Sequence, residues 1–248
     1  MYPDVDKATY INIEGNDIFE IEGSISRSSC NYMFYNIKDY DVLTNDWLEV
    51  NAFYSPSFNS MFLEIGYVYA FNQVFNIDSN NMDNYFYETL GVIGYTIGHE
   101  LSHAFDNSGS KYDENGKENN WWTDEDKIAY NKLNLKVEKY YNKLNQDGYQ
   151  TLGENIADLG GFALTIQLAE HKHASNDDFK KIFESAAKFD AMQSTNFING
   201  WLLLNDEHSL NKNRINGVYS SLDKFYEVYN IKETDKMYVS PSDRVSVW

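Results

Sequence analysis

Two histidines and a glutamate stand within five consecutive residues of this chain, His99-Glu100-Leu101-Ser102-His103. Positions four apart lie on one face of an α-helix, so the two imidazoles can bind one ion together. Paired imidazoles favour Zn²⁺. Glu100 follows the first histidine, where its carboxylate can reach a water at the metal without binding the metal. Chance would produce this pentapeptide in roughly one chain per hundred of this composition, so the spacing predicts a zinc hydrolase centre.

The residues just before the pentapeptide, 90–98, are apolar or small. This pattern is typical of a helix that crosses a protein core. Gly91, Gly94 and Gly98 each cost such a helix about 1 kcal/mol relative to alanine. Glycines at this spacing therefore indicate that another backbone approaches closely. A loosely packed strand is the alternative interpretation of the same run.

A zinc hydrolase needs a third protein ligand and an open position for water. Glu154 and Asp158 are again four residues apart, in a segment that is otherwise apolar or small. Two carboxylates on one face of a buried helix are unfavourable without a cation nearby. Glu154 is thus a candidate ligand, and Asp158 a candidate acceptor for the outer N–H of a ligand histidine. The alternative interpretation of the two acids is a helix N-terminus that attracts acidic side chains. His171, His173 and His208 are the other candidates for the third ligand, along with the remaining carboxylates.

Eight short blocks follow one another along the chain in a recognisable order. They are VNAFY at 50–54, IGHELSHAFD at 97–106, GSKYD at 109–113, NWWT at 120–123, GENIADLGG at 153–161, HS at 208–209, RING at 214–217 and RVSVW at 244–248. Together they resemble the catalytic domain of the neprilysin and endothelin-converting enzyme family of zinc metallopeptidases. The resemblance covers most of residues 46–248. It implies a mostly helical α+β fold of the thermolysin-like type, with a small N-terminal sheet and a zinc-binding HExxH helix.

The resemblance also implies which residues form the metal centre. His99, His103 and Glu154 match the ligands of one zinc ion per chain. Asp158 is similar to the family's outer acid beside a ligand histidine, and it is counted with the catalytic set. Asp106 resembles a further outer carboxylate.

Catalytic and substrate-binding roles follow from the same resemblance. Glu100 matches the base that activates water, and His208 the histidine that steadies the oxyanion of the tetrahedral intermediate. Arg214 matches the arginine that contacts a peptide carbonyl or carboxylate. Asn51 and Ala52 match the edge-strand pair that hydrogen-bonds the substrate backbone, a mode that needs only main-chain groups of the peptide.

The chain is expected to form a single metallopeptidase catalytic domain over residues 1–248. Residues 1–75 are predicted to be strand-rich, with short strands at 10–14 and 19–22 and the substrate edge strand at 46–54, which ends before Pro56. Residues 76–248 are predicted to be helical and to hold the zinc site. Beyond the two motif helices, the patterns predict helices at 125–144, 177–193 and 220–229.

Composition limits the classes of function. The formal net charge of −18 argues against nucleic acid and anionic membranes as partners. Cys30 is the single cysteine, so an internal disulfide is excluded. The first residues lack the pattern of a signal peptide, and no apolar run approaches the roughly 20 residues that span a bilayer. We expect a cytoplasmic protein or a soluble fragment of a longer one, and the compartment stays open.

The predicted substrate is a peptide or an unfolded polypeptide. Members of the resembled family are several hundred residues longer and carry a large helical domain over the cleft. This chain is therefore expected to be either a minimal form with an open cleft or a piece that needs a separate helical lid. A zinc-stabilised module that binds peptides without cleaving them is the alternative function, and a zinc hydrolase for non-peptide substrates is a weaker one.

Overall fold

The computed structural model describes residues 49–78 and 82–247. The strands predicted at 10–14 and 19–22, Cys30, and the first residues of the predicted edge strand lie outside this part of the chain. The described part is mostly helical with one small sheet, which confirms the predicted fold class. Its helices are α1 (Ile65–Phe75), α2 (Phe86–Thr89), α3 (Tyr95–Ser102), α4 (Asp124–Lys143), α5 (Leu152–His171), α6 (Asn176–Phe189), α7 (Asn196–Asn205), α8 (Asn211–Tyr219) and α9 (Asp223–Tyr229).

The sheet is an antiparallel hairpin of β1 (Ala52–Ser55) and β2 (Ser60–Leu63), with Ala52 opposite Leu63. β1 ends just before Pro56, and Asn59 takes the left-handed conformation that closes the turn, at φ 46°. The stacked rings of Phe53 and Phe62, with centroids 4.8 Å apart, hold the two strands together. Within residues 49–78 and 82–247, β2 is the strand that pairs with β1, and no described strand lies on the other edge of β1.

The helix that carries the histidine pair is longer than the motif. α2, a π-helical turn at Leu90–Gly94 and α3 follow one another without a break, so the strand alternative for this run is wrong. The glycines act as predicted where another helix crosses. A Cβ on Gly91 would lie 2.4 Å from the carbonyl oxygen of Ile182 in α6, and one on Gly98 would lie 3.1 Å from the carbonyl oxygen of Gly161 in α5.

α5 is the central helix of the core. Ile156, Ala157 and Phe162 have no exposed surface, and Leu159 has almost none. α3, α4 and α8 pack around α5, while α6 and α9 complete the cluster through aromatic contacts. A charged side chain on the α3 side of α5 is therefore surrounded by protein rather than by water.

Some element boundaries differ from the sequence predictions. Ile65–Phe75 is a helix inside the part predicted to be strand-rich, because its inward residues, Gly66, Tyr67, Ala70 and Phe71, follow the 3.6-residue period rather than an alternation. α4 and α6 lie close to the predicted ranges, whereas the last helix starts at Asp223 instead of residue 220. α7 and α8 were not predicted. Among the described residues no helix is long and apolar enough to cross a membrane.

Candidate metal centre and cleft

The Nε2 atoms of His99 and His103 point toward the same position in the cleft. Their Nε2 atoms are 3.1 Å apart and the rings are nearly perpendicular, at 87°. The outer nitrogen of each ring faces a carboxylate. His103 Nδ1 forms a hydrogen bond of 2.7 Å with Asp106, and His99 Nδ1 lies 2.8 Å from Oδ1 of Asp158, off the direction of a well-formed ring N–H bond. With Nδ1 protonated on both rings, both Nε2 lone pairs are free to meet a cation.

Glu154 supplies the third donor from the neighbouring helix. Its Oε2 lies 3.3 Å from His99 Nε2, and its Oε1 lies 3.6 Å from His103 Nε2. The close approach of Gly98 to Gly161 brings α3 and α5 near enough for this meeting. Glu154 also lies in the first turn of α5, so the helix N-terminus favours its negative charge as well.

The donor set fits a zinc ion. Tetrahedral zinc with bonds of about 2.0–2.2 Å places its ligand atoms about 3.3–3.6 Å apart. Here the two Nε2 atoms are 3.1 Å apart, and they lie 3.3 Å and 3.6 Å from Oε2 and Oε1 of Glu154, respectively. The pocket also favours positive charge. Burial opposes protonation of His99, yet the carboxylates of Asp158 and Glu154 raise its pKa to about 9. Burial would raise the pKa of Glu154, but His208 and His99 hold it well below its usual range.

Glu100 is the second carboxylate beside the histidines, and it is placed differently from Glu154. One of its oxygens can lie within 4.8 Å of the imidazole nitrogens, but its nearest contact to His99 Nε2 is 3.9 Å. Glu154 is closer to both rings, which makes it the stronger candidate ligand of the two. Burial raises the pKa of Glu100 against the opposing effect of the two imidazoles. A carboxylate with a raised pKa beside the metal donors is suited to accept and return a proton.

Asp158 is fully buried and has three partners. Arg214 grips both of its oxygens, Nε to Oδ2 at 3.0 Å and Nη2 to Oδ1 at 2.7 Å. The hydroxyl of Tyr95 donates to Oδ1 at 2.6 Å. Burial would raise the pKa of Asp158, but the guanidinium of Arg214 holds it well below its usual range. The carboxylate that faces His99 is therefore ionised.

His208 lies in the loop between α7 and α8, and its ring contacts Glu154. Its Nε2 is 3.1 Å from Glu154 Oε2, and its Nδ1 is 2.9 Å from Oδ1 of Asp206. The same oxygen of Asp206 accepts the backbone N–H of His208. Ser209 anchors the loop by donating to the buried Asn155 of α5 at 2.7 Å. The contact with Glu154 raises the pKa of His208, and nearly half of the side chain stays exposed to solvent.

These groups line one cleft of about 510 Å³. Of the residues predicted from sequence, the cleft is lined by Asn51, Ala52, His99, Glu100, His103, Asp106, Glu154 and His208. Asp158 and Arg214 lie behind the histidines. Arg214 has two of its nitrogens on Asp158 and also lines a neighbouring cavity together with His208.

The β1 side of the cleft presents a strand edge. Ala52 begins β1, and the side-chain oxygen of Asn51 accepts the backbone N–H of Ala52 at 2.9 Å. The backbone oxygen of Asn51 accepts the N–H of Glu64, which fixes the start of the hairpin. The Nδ2 group of Asn51 is then the donor that this side chain can offer to a bound chain.

Sequence reasoning missed three residues that shape the site. Tyr95 was counted only as part of an apolar run, and its hydroxyl gave no signal before Asp158 was placed beside it. Asn155 lies between the two acids of α5 and was not singled out. Asp206 precedes His208 by two residues, a spacing at which a carboxylate can cap the histidine backbone and hold its ring. His171 and His173, the rejected ligand candidates, are exposed at the end of α5.

Comparison with known proteins agrees with the resemblance noted above. The model of peptidase family M13 matches residues 51–245. A neutral endopeptidase of Lactobacillus helveticus is 37% identical over 80% of this chain and 30% of its own length. Neprilysin-3 of Drosophila melanogaster is 29% identical over 98% of this chain and 32% of its own length. The chain spans about a third of the length of these curated relatives.

Solved structures give the same answer for the fold. The zinc metalloprotease ZMP1 of Mycobacterium tuberculosis, in complex with an inhibitor, superposes with a TM-score of 0.75 at 26% identity, over 92% of this chain and 38% of that one. PEPO from Lactobacillus rhamnosis superposes with a TM-score of 0.71 at 25% identity, over 100% of this chain and 40% of that one. Since the family model covers well over half of the sequence, the chain belongs to peptidase family M13, together with its neprilysin and neutral endopeptidase relatives.

Proposed function

We propose that this chain is the catalytic domain of a zinc-dependent endopeptidase that hydrolyses peptide bonds with Glu100 as general base. The observation that carries the proposal is the meeting of His99, His103 and Glu154 beside a buried carboxylate in the cleft. We assign one zinc ion per chain to these three side chains. When bound, zinc supplies a Lewis acid that lowers the pKa of water toward roughly 7 and polarises a peptide carbonyl.

Glu100 moves the proton in this mechanism. It accepts a proton from the attacking water and returns it to the nitrogen of the leaving amine, so no net proton is gained or lost at the carboxylate. Its raised pKa matches this double task better than that of Glu154, which is held ionised by its neighbours. Two carboxylates with separated pKa values then divide the roles of base and ligand.

His208 and Arg214 act on the reacting peptide and its surroundings. Attack on the carbonyl builds negative charge on oxygen. We propose that His208, whose Nε2 group lies 3.1 Å from Glu154 Oε2 at the edge of the cleft, stabilises that charge. Asp206 holds the ring in this orientation. Arg214 keeps Asp158 ionised against His99, and its remaining Nη1 group is the one available to a substrate carbonyl or carboxylate.

The open edge of β1 is the proposed binding surface for the substrate backbone. An extended peptide beside Asn51 and Ala52 gains main-chain hydrogen bonds whatever its sequence. The cleft is polar and broad rather than a closed apolar pocket. It therefore fits an extended chain better than a compact small molecule, which is the reason for preferring peptides over other zinc-hydrolase substrates.

The test is a Glu100→Gln variant, with Glu207→Gln as the matched control. Glu207 is another glutamate of the same cleft and is exposed. We expect Glu100→Gln to keep one zinc per chain while peptide cleavage falls by about 10²–10⁴-fold, the usual cost of losing a general base. Glu207→Gln should keep both, and a chelator should abolish cleavage by the unmodified chain. Near-normal turnover of Glu100→Gln would overturn the mechanism.

A helical lid supplied by another part of a longer protein, or by a partner, is proposed as the missing wall of the cleft. Its support is the length of the relatives, of which this chain covers about a third. A zinc-stabilised module that binds peptides without cleaving them is the competing function. Stoichiometric zinc and peptide binding with no cleavage, in the presence and absence of candidate lids, would favour that module.

A further inference from the structure

Tyr95 lies one helical turn before His99 on α3, at a position that no catalytic or metal-binding role accounts for. Its ring stacks on Phe162 of α5 with centroids 4.2 Å apart and planes 28° apart. Phe162 is fully buried and lies four residues after Asp158, on the same face of α5. The tyrosine ring is thus held in place, and its hydroxyl ends at the carboxylate of Asp158.

Gly161 makes this placement possible. A Cβ at residue 161 would lie 2.9 Å from the carbonyl oxygen of Tyr95 and 3.0 Å from its ring. The backbone of α5 therefore runs directly against Tyr95, which leaves the ring little room to move. A side chain fixed this tightly can hold a second group in position at little further entropic cost.

The two ligand histidines have carboxylate partners that are held in different ways. Asp106, the partner of His103, accepts two backbone N–H groups on Oδ1, from Ser108 and Gly109, both at 2.6 Å. Asp158 is instead held by side chains of the described residues, Arg214 and Tyr95, and it faces His99. Its orientation toward His99 accordingly depends on side-chain donors.

Two hydrogen-bond donors and the ring of His99 meet at Oδ1 of Asp158. The Tyr95 hydroxyl lies at 2.6 Å, Arg214 Nη2 at 2.7 Å and His99 Nδ1 at 2.8 Å. Arg214 bridges both oxygens and sets the plane of the carboxylate. Tyr95 belongs to α3, the helix that also carries His99. Its hydrogen bond therefore links Oδ1 of Asp158 to the helix of the histidine that Asp158 faces. Without the hydroxyl, the carboxylate could follow Arg214 and turn away from His99.

We propose that Tyr95 is a positioning residue of the metal centre, whose hydroxyl holds Asp158 against His99 and so keeps His99 Nε2 aimed at the metal. The inference rests on the proposed zinc site, because it concerns how one ligand of that site is oriented. Tyr95 is not among the residues that line the cleft. Its effect passes through Asp158 to His99.

The experiment compares Tyr95→Phe with Tyr219→Phe. Each variant removes one buried hydroxyl and keeps the ring. Tyr219 packs on the same Phe162, at 5.1 Å, and donates to the carbonyl of Phe183 at 2.7 Å, away from the metal centre. We expect Tyr95→Phe to lower zinc affinity by about tenfold in a competition titration with a chromogenic chelator, the lower end for changes behind a ligand. Tyr219→Phe should leave the zinc affinity unchanged. It should lower the thermal stability of the chain about as much as Tyr95→Phe does.

Two further readouts separate positioning from general destabilisation. The visible absorption spectrum of the Co²⁺-substituted protein should change in Tyr95→Phe and not in Tyr219→Phe, because it reports the ligand geometry. At saturating zinc, kcat should fall in Tyr95→Phe with KM unchanged. In an Asp158→Asn background, adding Tyr95→Phe should cost little more zinc affinity, since the hydroxyl acts through Asp158.

Several outcomes would overturn the assignment. Unchanged zinc affinity and an unchanged Co²⁺ spectrum in Tyr95→Phe would do so, as would an equal loss of affinity in Tyr219→Phe. Fully additive losses in the Asp158→Asn background would show that Tyr95 does not act through that carboxylate. If Tyr95→Phe fails to fold, a Tyr95→Leu variant, which is smaller and also lacks the hydroxyl, takes its place. Failure of the unmodified chain to bind zinc would instead overturn the proposed function.

Discussion

The carboxylates around the two imidazoles have different surroundings, and these surroundings set the pKa of each carboxyl group. Glu154 is held ionised by His208 and His99, whereas burial raises the pKa of Glu100. Chemically identical groups a few ångströms apart are thereby suited to different tasks, the ionised one to bind a cation and the other to exchange a proton. The division depends on which helix carries each group. Glu100 is on α3 beside His99, and Glu154 crosses from α5.

A Glu154→Gln variant tests whether Glu154, rather than Glu100, binds the metal. Glu154→Gln keeps the shape of the side chain but removes the charge that faces both imidazoles. We expect zinc affinity to fall by more than about 100-fold, beyond the 10–100-fold usual for residues behind the ligands. Circular dichroism should show that most of the fold is kept. Competition titration against a chelator measures the affinity, and Glu207→Gln in the same cleft is the control.

The expected contrast is between Glu154 and Glu100. Glu154→Gln should lose zinc and activity together, whereas Glu100→Gln should lose activity alone. Stoichiometric zinc with unchanged affinity in Glu154→Gln would remove Glu154 from the metal centre and return Glu100 as the candidate ligand.

At the scale of single residues, the sequence could predict which side chains share one face of a helix. The i and i+4 pairs of His99 with His103 and of Glu154 with Asp158 state which side chains share a helix face. Spacing carries no information on Arg214 and Asp158, which are 56 residues apart and meet only after α8 packs beside α5. The sequence therefore assigned Arg214 to the substrate and did not anticipate its grip on Asp158.

The crossing of α3 and α5 is the element-scale feature on which the site depends. At the crossing, glycine faces glycine, Gly98 against Gly161, so the two backbones approach more closely than side chains would allow. This distance decides whether Glu154 reaches the imidazoles of α3. The proposed metal centre is in this sense a property of the helix pair, because Glu154, the carboxylate nearest both imidazoles, comes from α5.

Adding one methyl group at the crossing should separate the helices. In Gly161→Ala the new Cβ would lie 2.9 Å from the backbone nitrogen of His99 and 2.9 Å from the carbonyl oxygen of Tyr95, both rigid backbone atoms. We expect a loss of about 1–3 kcal/mol in the free energy of unfolding, the usual cost of overpacking, together with weaker zinc binding. Urea unfolding of the zinc-free chain measures the first effect and chelator competition the second.

Gly200 provides the matched control for that change. It also lies in a helix, α7, but a Cβ there would meet nothing within 4 Å. Gly200→Ala should therefore stabilise the chain by about 0.5–1 kcal/mol, because alanine is the better helix former, and should leave zinc binding unchanged. A Gly161→Ala chain as stable as the original, with unchanged zinc affinity, would contradict the importance of the close crossing.

Helices with a strong local signal were predicted well. α4 and α6 each begin at a capping box, with Thr123 and Asp126 in one and Ser175 and Asp178 in the other, and both lie near their predicted ranges. α7 and α8 were missed. α7 has no buried residue, so the contrast between an inner and an outer face that marks a helix in sequence is weak there. α1 was missed because its aromatic residues favour strands as readily as helices.

Charge and cleft together describe the whole molecule. The net charge is −18, and Glu100, Asp106, Glu154 and Glu207 all line the cleft. A surface of this sign attracts cationic chains over a distance of about one Debye length. We therefore expect positively charged peptides to associate with the cleft fastest. This expectation does not depend on which residues flank the scissile bond.

The openness of the cleft leads to a prediction about substrate size. One wall is the edge of a two-stranded hairpin, and His208 remains nearly half exposed beside the ligand glutamate. A closed chamber would exclude large substrates and water and would strengthen the electrostatics of the site. An open one admits long chains but holds any single short peptide weakly. We therefore expect a high KM for short peptides and cleavage of unfolded proteins as well as peptides.

The measurement is kcat/KM for one cleavage sequence presented in two ways, as a short peptide and within an unfolded protein. With an open cleft the two values should agree within about tenfold, and a helical lid supplied separately should raise the value for the short peptide. Glu100→Gln serves as the blank for contaminating proteases. A preference for the short peptide of about tenfold or more, which corresponds to about 1.4 kcal/mol, would mean that the cleft is covered.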